Sequence, residues 1–185
     1  MKIELECKVP LTDRDAVGKR LETAGARRHG AVFEQNWVFD RDGELSARRE
    51  VFRLRVIDHA AGGLVTHKRP AGKNPETAYK TREETEFTVD NAENARAVFA
   101  ALGFSSAWYY EKRRETWEFA GCEVVLDTLP GLGDFLEIEA PDYETLDARL
   151  RDLGLERSQS VAKSYATLWR EHCAARGQEF CAMRF

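Results

Sequence analysis

Charged and apolar residues alternate at the start of the chain. Glu4, Glu6 and Lys8 occupy every second position, and the apolar residues Leu5 and Cys7 lie between them. Because successive side chains of a β-strand point to opposite faces, this pattern predicts a strand with one charged face and one apolar face. The apolar face must then be covered by another layer of structure.

The alternation returns in five later segments, so six predicted strands share this layout. The later segments are residues 53–55, 66–68, 80–86, 112–114 and 137–139. Six strands can bring their charges together only if the sheet curls around the charged face, which predicts a barrel with a charged lining. Since buried ions must be paired or bind something, a lining with both signs of charge suits a metal ion together with a polyanion.

Apolar stripes with capping residues predict four helices that cover the outer, apolar face of the sheet. We expect the first helix to begin after Thr12, with Asp15 at the capping-box position, and the second to begin after Asp90. The third is expected after Asp142, and the last over residues 161–176. The predicted inward sides are Val17, Leu21 and Ala24; Ala97, Val98, Ala101 and Leu102; Leu146, Leu150 and Leu153; and Tyr165, Leu168, Trp169 and Cys173.

Runs of β-branched and aromatic residues between turn signals predict the strands in full. These runs are residues 32–40, 52–57, 63–68, 78–89, 108–118, 122–126 and 135–139. The loop at residues 69–75 contains two prolines, a glycine and two cations. Because prolines and glycines interrupt regular structure, this loop is the strongest candidate for a mobile lid.

Length and composition indicate a single domain, residues 1–185. The chain has 28 Lys and Arg against 32 Asp and Glu, a formal net charge of −4, which does not favour nucleic acid as a partner. No apolar run approaches the roughly 20 residues that span a bilayer, and the first residues lack the apolar core of a signal peptide. We therefore expect a cytoplasmic protein with no membrane partner. Its four cysteines follow no zinc-site spacing and are expected as free thiols.

The chemistry of the predicted lining is that of a metal and phosphate site. A single strand with alternating charges usually faces solvent, but here acidic pairs and basic pairs come on separate strands. Hard carboxylate oxygens suit Mg²⁺ or Mn²⁺, and arginine and lysine suit phosphates. The four histidines share no metal-ligand spacing, and no Walker-type glycine loop is present in the sequence.

In these motifs the chain resembles the CYTH superfamily, the triphosphate tunnel metalloenzymes. The resemblance covers nearly the whole chain and begins with Glu4-x-Glu6-x-Lys8. The further matching segments, in order, are Phe52-Arg53-Leu54-Arg55, Thr66-x-Lys68-x-Pro70, Lys80-x-Arg82-x-Glu84-x-Glu86, Glu111-Lys112-x-Arg114, Leu126-Asp127, Gly133-x-Phe135-x-Glu137-x-Glu139 and Lys163-Ser164-Tyr165. Residues 178–185 lie outside these motifs, and the sequence gives them no functional interpretation.

The resemblance implies an α+β fold, an antiparallel eight-stranded β-barrel that forms a triphosphate tunnel with helices packed on the outside. Its implied metal ligands, for Mg²⁺ or Mn²⁺, are Glu4, Glu6, Glu137 and Glu139. The implied catalytic residues are Lys8, Arg114 and Asp127, of which Asp127 helps to hold the metal or its water. The implied triphosphate ligands besides Lys8 and Arg114 are Arg53, Arg55, Lys68, Arg82, Lys112 and Lys163. Glu84 and Glu86 either bind metal or orient the cations.

Two departures from the family pattern bear on substrate selectivity. Asn36 and Trp37 precede Phe39-Asp40 where many relatives have an Asp-x-Tyr pair, and Arg69 stands where a small glycine is common. The implied partner is a small molecule bearing a triphosphate, and the oligomeric state stays open, with a homodimer as one option.

The resemblance implies a metal-dependent enzyme that acts on a triphosphate, with a class IV adenylyl cyclase as the leading interpretation. A cyclase would convert ATP to cyclic AMP and pyrophosphate, whereas a thiamine triphosphatase or an inorganic triphosphatase would direct water at the terminal phosphorus. Two alternatives of other classes remain: a non-catalytic module that binds polyphosphate or a nucleotide, and a structural barrel whose charges pair internally.

Overall fold

The sheet is a closed barrel in which every strand pairs with its neighbours in antiparallel fashion. The computed structural model describes residues 2–71 and 79–185. In these ranges the strands are β1 (Lys2–Leu11), β2 (Arg27–Asp40), β3 (Val51–Ile57), β4 (Gly63–Pro70), β5 (Lys80–Val89), β6 (Ser105–Phe119), β7 (Cys122–Leu129) and β8 (Gly133–Ala140). Their order around the barrel is β1-β5-β4-β3-β2-β6-β7-β8. The predicted eight-stranded antiparallel barrel is confirmed.

Helices cover the outside of this barrel. They are α1 (Arg14–Thr23), α2 (Glu44–Ala47), α3 (Ala92–Ala101), α4 (Tyr143–Asp152) and α5 (Tyr165–Ala175), with a 3-10 turn at Arg157–Gln159. None of the helices in the described ranges combines the length and the apolar character needed to cross a bilayer. The sequence did not predict the short helix α2, and α5 begins at Tyr165, four residues later than expected.

The strand faces divide as the alternation predicted. Leu5, Cys7 and Val9 are buried in the main core outside the barrel, where α1 and α4 cover β1, β7 and β8. Leu146, Leu150 and Leu153 pack into this core as predicted and are at most 1% exposed. The charged face of β1 points inward instead and lines the barrel cavity.

Two helix caps differ from the prediction by one residue. Asp13, not Thr12, caps α1 and accepts a hydrogen bond from the Ala16 amide at 2.9 Å. Asn91, not Asp90, caps α3 and accepts from the Asn94 amide at 2.8 Å. In α1 the carboxylate also suits the positive end of the helix dipole, which a threonine hydroxyl cannot match. The predicted cap Asp142 is confirmed, since its carboxylate accepts from the Thr145 amide at 2.7 Å.

The predicted buried face of α3 is wrong. Val98 and Leu102 are 55% and 62% exposed, whereas Phe99 packs with the rings of Phe39 and Phe52 at centroid distances of 5.2 and 4.7 Å. Phe99 outweighs the smaller residues because aromatic side chains bury the most apolar area, so this ring sets the rotation of the helix.

The strands extend beyond several predicted bounds, and their hairpins follow the turn signals. β6 and β7 join through Ala120 and Gly121, with φ angles of 47° and 79°. A two-residue hairpin turn with positive φ at both residues has a backbone twist that matches the twist of the two strands it joins. The predicted lid at 69–75 falls partly outside the described residues, since only residues 69–71 of that loop belong to them. The four cysteines are free thiols, as predicted.

Candidate functional site

A cavity of about 430 Å³ runs inside the barrel and is lined mainly by ions. The lining cations are Lys8, Arg53, Arg55, Lys68, Lys80, Arg82, Lys112 and Arg114. The lining carboxylates are Glu4, Glu6, Glu84, Glu86, Glu123, Glu137 and Glu139. All predicted site residues except Lys163 and Asp127 therefore border one space, because inward positions alternate along every strand.

Two arginines of β3 carry donors that no described residue satisfies. Arg53 is 8% exposed, and its Nε and Nη2 have no hydrogen-bond partner within the described ranges. Its Nη1 donates to the Tyr110 hydroxyl at 3.4 Å. Arg55 Nε likewise lacks a hydrogen bond, although it lies 3.4 Å from a carboxylate oxygen of Glu34. Burial and the neighbouring charge of Arg53 lower the pKa of Arg55.

Glu34 of β2 is a central residue of the site that sequence reasoning missed. It is 1% exposed and lies 3.4 Å from Lys112 Nζ and 3.8 Å from Arg114 Nε, besides its contact with Arg55. Burial alone would raise its pKa, but these three cations outweigh burial and lower it. Glu34 lies two positions before Asn36 on the inward face of β2, so the period of the strand could have identified it.

Asp127 is fully buried and holds the cations of β6 in place. Its carboxylate accepts from Arg114 through two bonds of 2.7 and 2.5 Å, from Lys112 Nζ at 2.9 Å and from the Tyr165 hydroxyl at 3.0 Å. Arg114 also donates to Glu137 at 2.6 Å. Two parallel hydrogen bonds from a guanidinium to one carboxylate fix the guanidinium in one orientation. Asp127 therefore positions Lys112 and Arg114, and its own oxygens are occupied.

Lys8 is a buried ammonium with an acidic and an aromatic neighbour. It lies 3.1 Å from Glu137 and 3.8 Å from the centroid of the Tyr165 ring. Burial would lower its pKa, but Glu137 and Glu6 raise it above the ordinary value. Lys8 is thus a fixed cation at neutral pH, and Tyr165 brings the start of α5 to the cavity.

The carboxylates of β1 and β5 share one lysine. Lys68 Nζ lies 2.7 Å from Glu4 and 3.0 Å from Glu84. Burial and a hydrogen bond with Glu4 raise the pKa of Glu84 to about 8, although Lys68 opposes this shift. Glu86 accepts from the Thr66 hydroxyl at 2.6 Å.

A row of carboxylates crosses three neighbouring strands. Glu6 lies directly opposite Glu139, which in turn lies opposite Glu123. Like charges directly opposite each other on one face destabilise a sheet unless a cation lies between them. Lys80 Nζ is 3.6 Å from Glu6, and burial and the charge of Lys8 lower the pKa of Lys80 to about 8.

This donor set fits a hard divalent cation in kind. Carboxylate oxygens are the ligands of Mg²⁺ and Mn²⁺, and Glu6 and Glu139 face each other across β1 and β8, with Lys80 Nζ 3.6 Å from Glu6. Within residues 2–71 and 79–185, however, no three acidic, histidine or cysteine side chains converge closely enough to hold a metal ion. Mg²⁺ usually keeps several waters and completes its shell with substrate phosphates, so one or two carboxylates suffice.

Two of the predicted triphosphate ligands lie at the edge of the site. Arg82 lines the cavity, and its Nη1 donates to the Arg49 carbonyl at 2.7 Å. The Lys163 ammonium lies on Glu171, 2.8 Å from each of its oxygens, and does not line the cavity. Its carbonyl accepts from Lys80 Nζ at 3.3 Å. Lys80, which was not among the expected triphosphate ligands, lines the cavity at this edge.

Comparisons with known proteins agree with this architecture. A curated protein of Methanocaldococcus jannaschii, named "Putative adenylate cyclase", is 30% identical over 178 residues, which cover 90% of this chain and 98% of the relative.

Solved structures show the same fold. A structure described as a putative adenylate cyclase from Vibrio parahaemolyticus matches with a TM-score of 0.75 and 21% identity, covering 90% of this chain and 97% of the other. A putative adenylyl cyclase from Hippeastrum matches with a TM-score of 0.69 and 16% identity, covering 92% and 96%.

The family model described as "CYTH domain" matches residues 2–165, which takes in the whole barrel and the start of α5. The segment after residue 165 lies beyond this match. With the barrel and its charged lining, this match establishes that the chain belongs to the CYTH domain family.

Proposed function

We propose that the protein is a divalent-metal-dependent enzyme that acts on a triphosphate, and that its reaction is the conversion of ATP to cyclic AMP and pyrophosphate. The observation that carries the proposal is the set of guanidinium N–H groups of Arg53 and Arg55 that have no hydrogen-bond partner among the described residues. They lie in a cavity that also contains a row of carboxylates.

Unpartnered buried cations favour an anionic ligand. A charged donor that is removed from water and left without an acceptor costs more free energy than a neutral one. Arg53 and Arg55 are such donors, and Lys8, Lys112 and Arg114 lie in the same space. A triphosphate has oxygens for all of them, and arginine forks match phosphate geometry.

The proposed metal ligands are Glu6 and Glu139, with Glu4 and Glu137 in support. When bound, a divalent ion would neutralise negative charge on the phosphates and stabilise the charge that develops on them. Glu6 is the carboxylate best suited to a change of partner, since its ion pair with Lys80 is a long one, at 3.6 Å. Glu4 and Glu137 are held by closer ion pairs with Lys68 and Lys8.

The protein's own residues would act mainly by orientation. In the proposed reaction the ribose 3′-oxygen forms a bond to the α-phosphorus, the bond from that phosphorus to the bridging oxygen breaks, and pyrophosphate leaves. The hydroxyl proton passes to solvent or to a basic group. Lys112 and Arg114, fixed by Asp127, would hold phosphate oxygens in line, and Arg53 and Arg55 would stabilise the departing charge.

The name of the 30% identical Methanocaldococcus relative supports the cyclase reaction. A triphosphatase is the second candidate, because the structure of the Hippeastrum protein is described as revealing a dominant triphosphatase activity. Both reactions need the same phosphate site, and they differ in whether ribose or water attacks. A binding module without catalysis is the candidate of another class.

The test is an activity assay with ATP, thiamine triphosphate and inorganic triphosphate, each with Mg²⁺ and with Mn²⁺. Cyclic AMP and free phosphate are measured separately. We expect cyclic AMP and pyrophosphate from ATP. Free phosphate without cyclic AMP would replace the cyclase with a triphosphatase, and tight binding without any product would replace both with a binding module.

A further inference from the structure

We propose that residues 180–183, the strap, determine substrate specificity by fixing an aromatic wall that receives the planar organic part of a nucleoside triphosphate. The aromatic wall consists of Val38, Trp108 and Tyr110, which all line the charged cavity. This inference rests on the proposed function, and it assigns the residues that receive and select the organic part of the substrate. The strap lies beyond the family match, which ends at residue 165.

The aromatic wall begins directly beside Arg53, a cation that we assign to the phosphates and that has two donors satisfied by no described residue. Arg53 on β3 lies opposite Val38 on β2, and Val38 lies opposite Trp108 on β6. Side chains directly opposite each other on one face lie about 4.5–5.5 Å apart at Cβ. Arg53 also donates to the Tyr110 hydroxyl at 3.4 Å. If the phosphates of a ligand bind Arg53, the organic group attached to those phosphates would therefore lie against this wall.

The chemistry of the wall suits an apolar, planar group better than further phosphates. Two of its three residues are aromatic, and the Trp108 indole donor is already bonded within the protein. The cavity volume of about 430 Å³ falls in the range of roughly 300–1,000 Å³ that is typical of sites for drug-sized ligands. Such sites combine apolar walls with a few polar groups, which is the arrangement here.

The strap holds Trp108 by a hydrogen bond and a ring contact. The Cys181 carbonyl accepts from Trp108 Nε1 at 3.1 Å and from Trp169 Nε1 of α5 at 2.8 Å. The Phe180 ring lies 5.7 Å from the Trp108 ring, centroid to centroid. One carbonyl thus ties the wall residue on β6 to the helix that carries Tyr165 into the cavity.

A backbone bridge anchors the far end of the strap on the same strand. The Met183 amide donates to the Tyr109 carbonyl at 3.0 Å, and the Glu111 amide donates to the Met183 carbonyl at 2.9 Å. The Met183 side chain is fully buried. The strap is therefore fastened on both sides of Tyr110, and its loss would release Trp108 and Tyr110 together.

The experiment compares two Phe→Ala substitutions near the end of the chain. Phe180→Ala removes the ring that contacts Trp108. Phe185→Ala is the matched control, because Phe185 lies outside the strap. Its ring centroid lies 4.2 Å from Arg113 Cζ and 6.2 Å from the ring centroid of Phe33. Calorimetry without divalent metal, so that turnover does not interfere, gives dissociation constants for ATP and for inorganic triphosphate.

We expect Phe180→Ala to weaken ATP binding roughly fivefold, the change that about 1 kcal/mol of lost apolar contact produces, and inorganic triphosphate binding by less than about twofold. Phe185→Ala should leave the ratio of the two constants unchanged. Trp169→Phe, which removes one donor to Cys181 and keeps an aromatic ring, should shift the ratio in the same direction and serves if Phe180→Ala does not fold.

Two failures are distinguishable. If the unmodified protein binds neither ligand, the proposed function fails. If it binds both and the ratio is the same in Phe180→Ala, or in Trp169→Phe where the former is unfolded, the strap only stabilises the fold and the inference is wrong while the function stands. An equal change of the ratio in Phe185→Ala would also overturn it.

Discussion

At the scale of single residues, the cavity contains ions that differ in how completely the protein satisfies them. Asp127 accepts from Lys112, Arg114 and Tyr165, and its position is fixed by these bonds. Arg53 and Arg55 instead keep guanidinium donors that no described residue satisfies. Satisfied groups form the frame of such a site, and unsatisfied groups are available to a ligand.

Arg55→Ala should separate binding from stability. The substitution removes a cation that we assign to the triphosphate, so affinity for inorganic triphosphate should fall by at least about tenfold, since hydrogen bonds to charged groups contribute about 1.5–3 kcal/mol. The ligand-free protein should melt at nearly the same temperature, because relief of the repulsion from Arg53 offsets the lost contact with Glu34. Calorimetry and thermal melting measure the two quantities.

The matched control for Arg55→Ala is Arg27→Ala. Arg27 pairs with Glu118 on the surface at 3.3 Å, and its side chain is 73% exposed. Neither affinity nor melting temperature should change appreciably. Unchanged triphosphate affinity in Arg55→Ala would contradict the assignment of this arginine.

Glu6→Gln and Glu139→Gln should each abolish metal-dependent turnover and leave the fold intact. Each substitution removes one negative ligand and almost no volume, and we expect a loss of at least about a hundredfold. Steady-state assays at saturating Mg²⁺ and Mn²⁺ measure the loss, and circular dichroism checks the fold. Glu93→Gln, on the exposed side of α3, is the control. Near-normal turnover in either barrel variant would exclude that residue as a metal ligand.

At the scale of elements, the strands present the site and the helices support the strands from outside. The inward face of β1 carries Glu4, Glu6 and Lys8, and its outward face packs under α1 and α4. Helix ends contribute to stability through their caps, and here the structure and the sequence pattern assign different residues to the cap of α1.

Asp13→Ala should destabilise the protein by about 1 kcal/mol, because it removes the acceptor for the Ala16 amide. In a domain of this size, that loss lowers the melting temperature by roughly 2–4 °C. Thr12→Ala should change stability by less than about 0.5 kcal/mol, as exposed positions without such a role usually do. The reverse order in a thermal melt would restore Thr12 as the cap.

The sequence predicted those elements whose period is unambiguous. Alternation along β1 and β8 separated the cavity residues from the core residues, and the family resemblance added the antiparallel eight-stranded barrel. The buried face of a helix and the exact residue at which it begins were harder to predict. The buried face of α3 depends on how Phe99 fits between Phe39 and Phe52, which come from distant parts of the chain.

The candidate site was likewise predictable in part. Sequence reasoning missed Glu34 because no second charged residue lies two positions away from it on β2. Its ion-pair partners Lys112 and Arg114 were both identified. The position of Lys163 follows from a contact that sequence reasoning did not consider, since Glu171 of α5, eight residues later in the chain, attracts its ammonium. The role that we propose for residues 180–183 depends on contacts with β6 that no local pattern indicates.

At the scale of the whole molecule, the central feature is the charge balance of one confined space. The described lining contains eight cations and seven carboxylates. Like-charge repulsion is weakly screened in such a space, so the empty barrel is stabilised when its charges gain partners. A triphosphate would neutralise the cations, and a divalent ion would neutralise the carboxylates. If both bind in the cavity, each should favour the binding of the other.

The most direct measurement is the melting temperature of the protein with Mg²⁺, with inorganic triphosphate and with both. At a hundredfold excess over its dissociation constant, each ligand alone should raise it by roughly 5–10 °C, and the two together should raise it by more than the sum of the separate shifts. Glu6→Gln should remove the magnesium contribution. Strictly additive shifts, or none, would contradict the claim that metal and triphosphate share one site.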